Sequence, residues 1–257
     1  MRLDQALFMR GLTKSRTRAR QLIEQGFVEA DGVVVKKPAF DVEEGTKLVV
    51  RGEDHPFVGR GGVKLEAAIE RFGIDPRGRI CADIGASTGG FTDCLLRRGA
   101  LKVYAVDAGH GQLDASLRAD GRVVNLEGIN ARFLSPEQIP EPCSLAVLDL
   151  SFISQTLVIP AVKTVLTPDA EYIGLIKPQF ECGREALSKN GIVKDPKQHK
   201  AAVRRIVAAL DEAGMGAFGL MKSPVLGGDG NTEFLVLARA GEARTVGGAE
   251  IEEVVHA

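Results

Sequence analysis

Four side chains stand where an αβ-alternating chain would carry reactive groups: Lys64, Asp149, Lys177 and Glu233. Asp149 closes the apolar run Leu145-Ala146-Val147-Leu148, Lys177 closes Tyr172-Ile173-Gly174-Leu175-Ile176, and Glu233 opens a last apolar run. Lys64 lies on an amphipathic stretch ahead of the first such run. Sheets of alternating βα units deliver functional groups at the carboxyl ends of their strands. A lysine that ends a run this apolar is hard to explain by packing, because unpaired lysine is almost never buried. Asp149, on a neighbouring strand end, is its expected partner. The alternative is two structural lysine–carboxylate ion pairs, which perturb titration in the same way. As chemistry, a desolvated neutral lysine can take the proton of a weak nucleophile such as a hydroxyl. A second lysine lowers its pKa by like-charge repulsion, while carboxylates raise it and fix its orientation.

A second cluster surrounds Arg79-Ile80-Cys81-Ala82-Asp83-Ile84-Gly85-Ala86-Ser87-Thr88-Gly89-Gly90-Phe91-Thr92-Asp93. An apolar run ends on an acid, passes through glycine-rich backbone and becomes amphipathic over residues 91–98, which predicts a buried strand, a tight turn and a helix N-terminus. The glycines are expected to let a ligand approach the backbone. The next run, Lys102-Val103-Tyr104-Ala105-Val106-Asp107, ends on an acid about twenty residues after the first, where nucleotide-binding folds hold a ribose. The spacing is Asp-x-Gly-x-x-x-Gly-Gly. It lacks the tight glycines of a dinucleotide fingerprint and the Gly-Lys-Ser/Thr of a phosphate cradle, which argues against NAD and ATP. It resembles the S-adenosylmethionine site of class I methyltransferases. An ordinary strand-to-helix turn is the alternative.

The chain has 257 residues, enough for one large domain or two unequal ones. Its 44% hydrophobic and 26% charged content are ordinary for a soluble globular protein. No apolar run is long enough to span a bilayer and residues 1–11 show no signal-peptide pattern. The four cysteines, Cys81, Cys94, Cys143 and Cys182, lack metal-ligand spacing and read as free thiols in a reducing cytoplasm. No metal site is expected. The formal net charge of −1 hides a local asymmetry.

That asymmetry lies in residues 1–50, which read as a small α+β module. Leu3, Ala6, Leu7 and Met9 suggest a first helix stopped by Gly11; Ser15 caps a second over residues 16–25, stopped by Gly26. Asp31-Gly32 then marks a hairpin between Phe27-Val28-Glu29-Ala30 and Val33-Val34-Val35-Lys36-Lys37, with a closing strand over residues 47–50. Lys14, Arg16, Arg18 and Arg20 crowd the start of the second helix, where its dipole disfavours cations. Contact with an anionic partner explains this; a merely solvated charged face is the alternative. The module resembles an S4 RNA-binding domain in Arg2-Leu3-Asp4, Ser15-Arg16-Thr17-Arg18-Ala19, Ile23-Glu24-Gln25-Gly26 and Val28-x-x-Asp31-Gly32.

Residues 51–62 have the composition of a linker, and residues 63–241 read as the larger domain. An amphipathic helix is expected over 63–72, strands over 122–126, 144–150, 171–176, 218–222 and 233–238, and helices over 155–166 and 198–213. The alternation implies a doubly wound, mostly parallel seven-stranded sheet with an antiparallel edge. Residues 242–257 show little pattern and read as a frayed tail. His199 reads as a helix-surface residue, His110 as part of a loop beside Asp107, and residues 180–196 as a long loop or lid.

The order Lys–Asp–Lys–Glu over such a fold resembles the FtsJ-like ribose 2′-O-methyltransferases. Joined to an S4 module, it is similar to the TlyA family, also labelled haemolysin A. The resemblance rests on Gly59-Arg60-Gly61-Gly62-Val63-Lys64-Leu65, residues 83–93, Val106-Asp107-Ala108-Gly109-His110-Gly111-Gln112-Leu113, Asn130-Ala131-Arg132, Leu148-Asp149-Leu150-Ser151-Phe152-Ile153-Ser154, Ile176-Lys177-Pro178-Gln179-Phe180-Glu181 and Gly230-Asn231-Thr232-Glu233-Phe234. It implies S-adenosylmethionine-dependent 2′-O-methylation of cytidine in ribosomal RNA of either or both subunits, in the cytoplasm, by a monomer as the default. Lys64, Asp149, Lys177 and Glu233 would be the catalytic tetrad. Asp83, Gly85, Ser87, Thr88, Gly89 and Phe91 would line the methionine end of the cofactor, Asp107 its ribose, and Glu127 or Asn130 its adenine. Arg2, Lys14, Arg16, Arg18, Arg20 and Arg60 would hold RNA phosphates. An RNA-binding protein with an inactive methyltransferase domain, a membrane-active haemolysin and an S4-fused pseudouridine synthase are the rival readings. The absence of a membrane-spanning run argues against the second, and the position of Asp4 in the first helix against the third.

Overall fold

The computed structural model describes residues 1–13, 15–24, 26–50, 55–227 and 230–257. It divides the chain into two compact units, Met1–Pro56 and Phe57–Ala257.

In the first unit, α1 (Leu3–Met9) and α2 (Arg16–Glu24) pack on a three-stranded antiparallel sheet of β1 (Val28–Ala30), β2 (Val33–Val34) and β3 (Leu48–Val50), ordered β2-β1-β3. The Ser15 hydroxyl accepts from Arg18 N at 3.1 Å and caps α2. Asp31 and Gly32 take φ of 50° and 81°, the paired positive values of the tight hairpin turn that the Asp-Gly pair predicts. Leu3, Leu7, Ile23 and Val28 are fully buried in this unit's core. Lys14 and Gln25 lie outside the described residues, as do residues 51–54 of the expected linker.

The second unit begins at Phe57, inside the stretch with linker composition. Phe57 is buried, and a Cβ on Gly62 would meet its ring at 2.3 Å, so this segment belongs to the core. α3 (Gly61–Phe72) leads into β4 (Ile80–Ile84), α4 (Gly90–Arg97), β5 (Lys102–Asp107), α5 (Ala115–Arg118), β6 (Val123–Glu127) and β7 (Cys143–Leu148). α6 (Ile159–Lys163), β8 (Leu166–Ile176), α7 (Pro178–Glu181), α8 (Pro196–Glu212), β9 (Met215–Lys222), β10 (Phe234–Ala240) and α9 (Gly248–His256) complete it. The sheet order is β6-β5-β4-β7-β8-β10-β9. β4 to β8 pair in parallel; β10 inserts between β8 and β9 and is antiparallel to both. Chain reversal between β4 and β7 makes the switch point at which such sheets open a crevice.

Alternate residues of the central strands feed two cores, one on each face. Ala82, Ile84, Tyr104, Val106, Ala146 and Leu148 pack toward α8 and α9, while Cys81, Val103, Ala105, Leu145 and Val147 pack toward α3 and α4. Two-sided burial is why these strands read as unbroken apolar runs.

Three expectations are corrected. The helix expected over 155–166 is a 3₁₀ turn at Gln155–Leu157 and the short α6; Leu166 instead opens β8, pairing with Cys143. Residues 248–256 are a helix rather than a frayed tail, with Ile251 and Val255 buried one turn apart in the core. His199 is buried, its Nε2 bonded to Val193 O at 2.9 Å and its ring edge-on to Phe234.

Candidate active site

The turn after β4 is built by backbone packing. Gly85 has φ +88°, and its N and that of Ala86 donate to Val106 O at 2.8 and 3.0 Å. A Cβ at Gly85 would stand 2.4 Å from Asp149 O, so this position admits only glycine. A Cβ on Gly90 would come within 3.0 Å of Gly62 N, so α4 begins in backbone contact with α3. Both glycines let chain segments meet closely, and Gly85 also borders the cleft described next.

Asp107, at the end of β5, accepts Ser87 N on Oδ2 at 2.8 Å and Gly109 N on Oδ1 at 2.7 Å. Each carboxylate oxygen thus makes one backbone bond. Asp107 lines a cleft of about 540 Å³ together with Gly85, Ser87, Asn130 and Asp149. Leu150, Ile129, Gln112, Ser151 and Phe152 are also part of the wall, and sequence reasoning assigns none of them a role. Phe152 is the sharpest omission. It is 92% exposed, has φ +64°, and its ring lies 5.2 Å from that of Phe180. A lone phenylalanine after Asp149-Leu150-Ser151 is the available signal.

The other residues expected at the cofactor are not among those lining this cleft. Asp83 is fully buried; its Oδ2 accepts the Thr92 hydroxyl at 2.6 Å, and Oδ1 has no hydrogen-bond partner among the described residues. Burial pushes its carboxyl up to about 7, opposed by the Thr92 bond and assisted by the charges of Asp149 and Asp107. Phe91 is buried against Gly61, Gly89 caps α4 at φ +95°, and the Thr88 hydroxyl sits against Gly59. Glu127 is not among the lining residues either. It accepts from Gly111, Gln112 and Leu113 N at 2.9, 2.8 and 3.1 Å, bonds that hold its carboxyl down at about 2. Glu127 therefore shapes the loop that brings Gln112 to the wall.

The buried Asp83 makes stability depend on pH in a stated direction. Its folded pKa of about 7 exceeds the ordinary 3.8, so the folded state holds the proton longer than the unfolded chain does. Its contribution to stability falls as pH rises from about 4 to about 7 and is level above that. Urea unfolding across this range should show a decline in wild type that Asp83→Asn removes. Parallel curves for the two proteins would show that another group titrates.

The four basic and acidic candidates form two pairs at the carboxyl edge of the sheet. Lys177 Nζ lies 2.5 Å from Asp149 Oδ1 and donates to Ser151 Oγ at 3.0 Å. Lys64 Nζ lies 2.5 Å from Glu233 Oε2, with side chains only 9% and 2% exposed. Strand register brings the pairs into one region: Phe234 faces Ile176, so Glu233 and Lys177 occupy the next positions, and Asp149 N donates to Ile84 O at 3.0 Å. A Cβ on Gly61 would stand 3.6 Å from Asp149 Oδ2, which places the start of the Lys64 helix over Asp149.

The basic candidates of the first unit are partly engaged. Arg2 makes a forked pair with buried Asp4 at 3.0 and 3.1 Å, and Arg16 reaches the same carboxylate at 3.4 Å. The Arg2 hydrogen bond leads in holding Asp4 below its usual range. Both guanidinium side chains stay about half exposed, at 46% and 54%. Arg18 bonds His55 at 3.1 Å, and exposed Arg20 lies 3.8 Å from Glu24. Arg60 belongs to the second unit, at the cap of α3. Lys14 lies outside the described residues. No helix among the described residues is long and apolar enough to cross a membrane, and they hold no cluster of metal-ligating side chains.

A doubly wound seven-stranded sheet whose carboxyl edge carries this cleft and two lysine–carboxylate pairs defines a class I methyltransferase fold. The chain belongs to the FtsJ-like methyltransferase family, whose model matches residues 57–240, and an S4 domain model matches residues 1–48. It is 43% identical to the 16S/23S rRNA (cytidine-2′-O)-methyltransferase TlyA of Mycobacterium tuberculosis, over 99% of this chain and 96% of that protein. It is 40% identical to a Brachyspira hyodysenteriae protein named Hemolysin A, over 91% of this chain and 98% of that one. Among solved structures, a Streptococcus thermophilus chain labelled a hemolysin superposes with a TM-score of 0.80 at 38% identity, covering 100% of this chain and 94% of that one.

Proposed function

We propose that this chain transfers a methyl group from S-adenosylmethionine to the 2′-hydroxyl of a cytidine in ribosomal RNA, in the cytoplasm. The observation that carries the reading is the Lys177–Asp149 pair at the rim of a cleft that also presents Asp107. The residues fit the cofactor. The cleft has the volume of a small-molecule site, ~300–1,000 Å³. Each Asp107 oxygen accepts a single backbone bond and keeps acceptor capacity for a ribose diol. Gly85 and Ser87 would hold the methionine end, and Asn130 with the apolar Ile129 and Leu150 the adenine. Asp83, Thr88, Gly89 and Phe91 would support the turn from behind, and Glu127 the loop opposite.

Bound there, S-adenosylmethionine supplies an electrophilic methyl on a sulfonium centre. Lys177, as the neutral amine, takes the hydroxyl proton as the oxygen attacks and later releases it to solvent. Asp149 and Ser151 fix the direction of its Nζ. Lys64 and Glu233 form the second pair at the same edge and would help orient the target ribose. Phe152, exposed on a strained backbone, offers an aromatic face to a base turned out of its stack. The S4 unit's Arg2, Arg16, Arg18 and Arg20, with Lys14, and Arg60 ahead of α3, would bind phosphates, which position RNA without reading its sequence.

The test is transfer of labelled methyl to separately prepared small and large ribosomal subunits that lack prior modification. The expected product is 2′-O-methylcytidine, mapped by mass spectrometry of RNA fragments. Intact cofactor binding with no incorporation into either subunit would show that the RNA target is different; failure to bind S-adenosylmethionine would overturn the assignment of the cleft.

A further inference from the structure

Two segments carry the reactive edge, residues 149–155 after β7 and residues 177–181 after β8. They are tied at successive points. Lys177 meets Asp149 and Ser151, Phe180 meets Phe152, and at the buried end Glu181 meets Ser154 and Gln155. Glu181 is 4% exposed. Its Oε2 accepts the Ser154 hydroxyl and its Oε1 accepts Gln155 N at 2.9 Å. The neighbouring groups are themselves fixed: Gln155 Nε2 donates to Leu175 O at 2.8 Å, its Oε1 accepts the Tyr172 hydroxyl at 2.7 Å, and Arg205 donates to Glu181 O at 3.1 Å.

We infer that Glu181 is a positioning residue for methyl transfer: its carboxylate clamps the two segments in register and thereby sets both the Lys177–Asp149 geometry and the placement of Phe152. The inference rests on the proposed reaction, but the clamp itself is a structural statement. A buried carboxylate is a costly way to join two loops, and burial raises the Glu181 carboxyl above its ordinary range despite the Ser154 and Gln155 bonds. Simple packing would be served as well by an apolar side chain. A carboxylate instead accepts two hydrogen bonds in fixed directions, from adjacent residues of the opposite segment. Phe152 makes the need concrete. At φ +64° it occupies a conformation that a bulky aromatic residue adopts only when its surroundings impose it. Side-chain bonds hold the segment on both sides of Phe152, from Lys177 to Ser151 and from Glu181 to Ser154 and Gln155.

The chain contains no tryptophan, so a Phe152→Trp reporter would be its sole indole emitter. In that background, Glu181→Ala and, separately, Ser154→Ala should raise collisional quenching of the reporter at least twofold and lower its anisotropy. In the Phe152 parent, the same substitutions should lower kcat tenfold or more, with the S-adenosylmethionine Kd and KM held within twofold. Glu181→Gln should recover most of both readouts, since its amide oxygen still accepts from Gln155 N and its NH₂ can donate to Ser154 Oγ. Should Glu181→Ala fail to fold, the Ser154→Ala and Glu181→Gln variants still decide. Unchanged quenching and unchanged kcat in folded variants would overturn the clamp. If the wild-type enzyme methylates no ribosomal RNA, the reporter readout still tests the clamp, and only the reaction falls.

Discussion

Lys177→Ala should abolish measurable methyl transfer, lowering the rate by about 10²–10⁴-fold, the range that a positioned general base contributes. Lys177 does not line the cleft, so S-adenosylmethionine affinity by calorimetry should stay near that of wild type. Lys177→Arg should be as defective. A guanidinium matches Asp149 and Ser151 as a donor but cannot lose a proton near neutral pH, so retained charge without retained basicity isolates the proton-accepting role. If Lys177→Arg worked at more than a tenth of the wild-type rate, the amine would be an electrostatic stabiliser and the base would lie elsewhere. The measurement is single-turnover methyl transfer at saturating cofactor, which removes product release from the comparison.

Lys177 and its neighbours at the strand ends are legible in the amino-acid sequence for a physical reason. Strands buried on both faces write unbroken apolar runs, and a charge that ends such a run has no packing explanation. Asp107, Asp149 and Lys177 are visible on that ground, and Asp31-Gly32 is visible because a tight hairpin needs two positive φ values. What the sequence conceals depends on contacts across long separations. Glu127 looks like a ligand-binding acid at a strand end, yet its carboxylate is engaged by backbone N–H groups more than a dozen residues earlier. Gly85 and Gly90 read as glycines that admit a ligand, and nothing local shows that Asp149 and residues 59–62 also crowd them. Residues 155–166 carry helical spacing that is overridden when Leu166 pairs with Cys143. Ile251 and Val255 have helical spacing as well, diluted by acids that face outward. Phe152 defies local reading because exposure and positive φ are properties of the folded loop.

The Lys64–Glu233 pair allows stability and catalysis to be separated by experiment. Both side chains are nearly buried, 169 residues apart in sequence, and bonded at 2.5 Å. Removing one partner strands the other's charge in a low-dielectric site, so Lys64→Met and Glu233→Met should each cost about 3–5 kcal/mol of unfolding free energy. The double variant has no stranded charge and places thioethers of similar length in the same space. It should regain most of that loss, and such replacements are often neutral or stabilising by about 1–4 kcal/mol. Denaturant titration of the three variants gives the coupling directly as a double-mutant cycle. Methyl transfer by the restored double variant then decides what the pair is for. If the two residues act on the ribose, the double variant folds, binds S-adenosylmethionine and remains inactive, because the functional groups are gone. If the pair only holds α3 to the start of β10, activity returns with stability, and the tetrad contracts to Lys177 and Asp149.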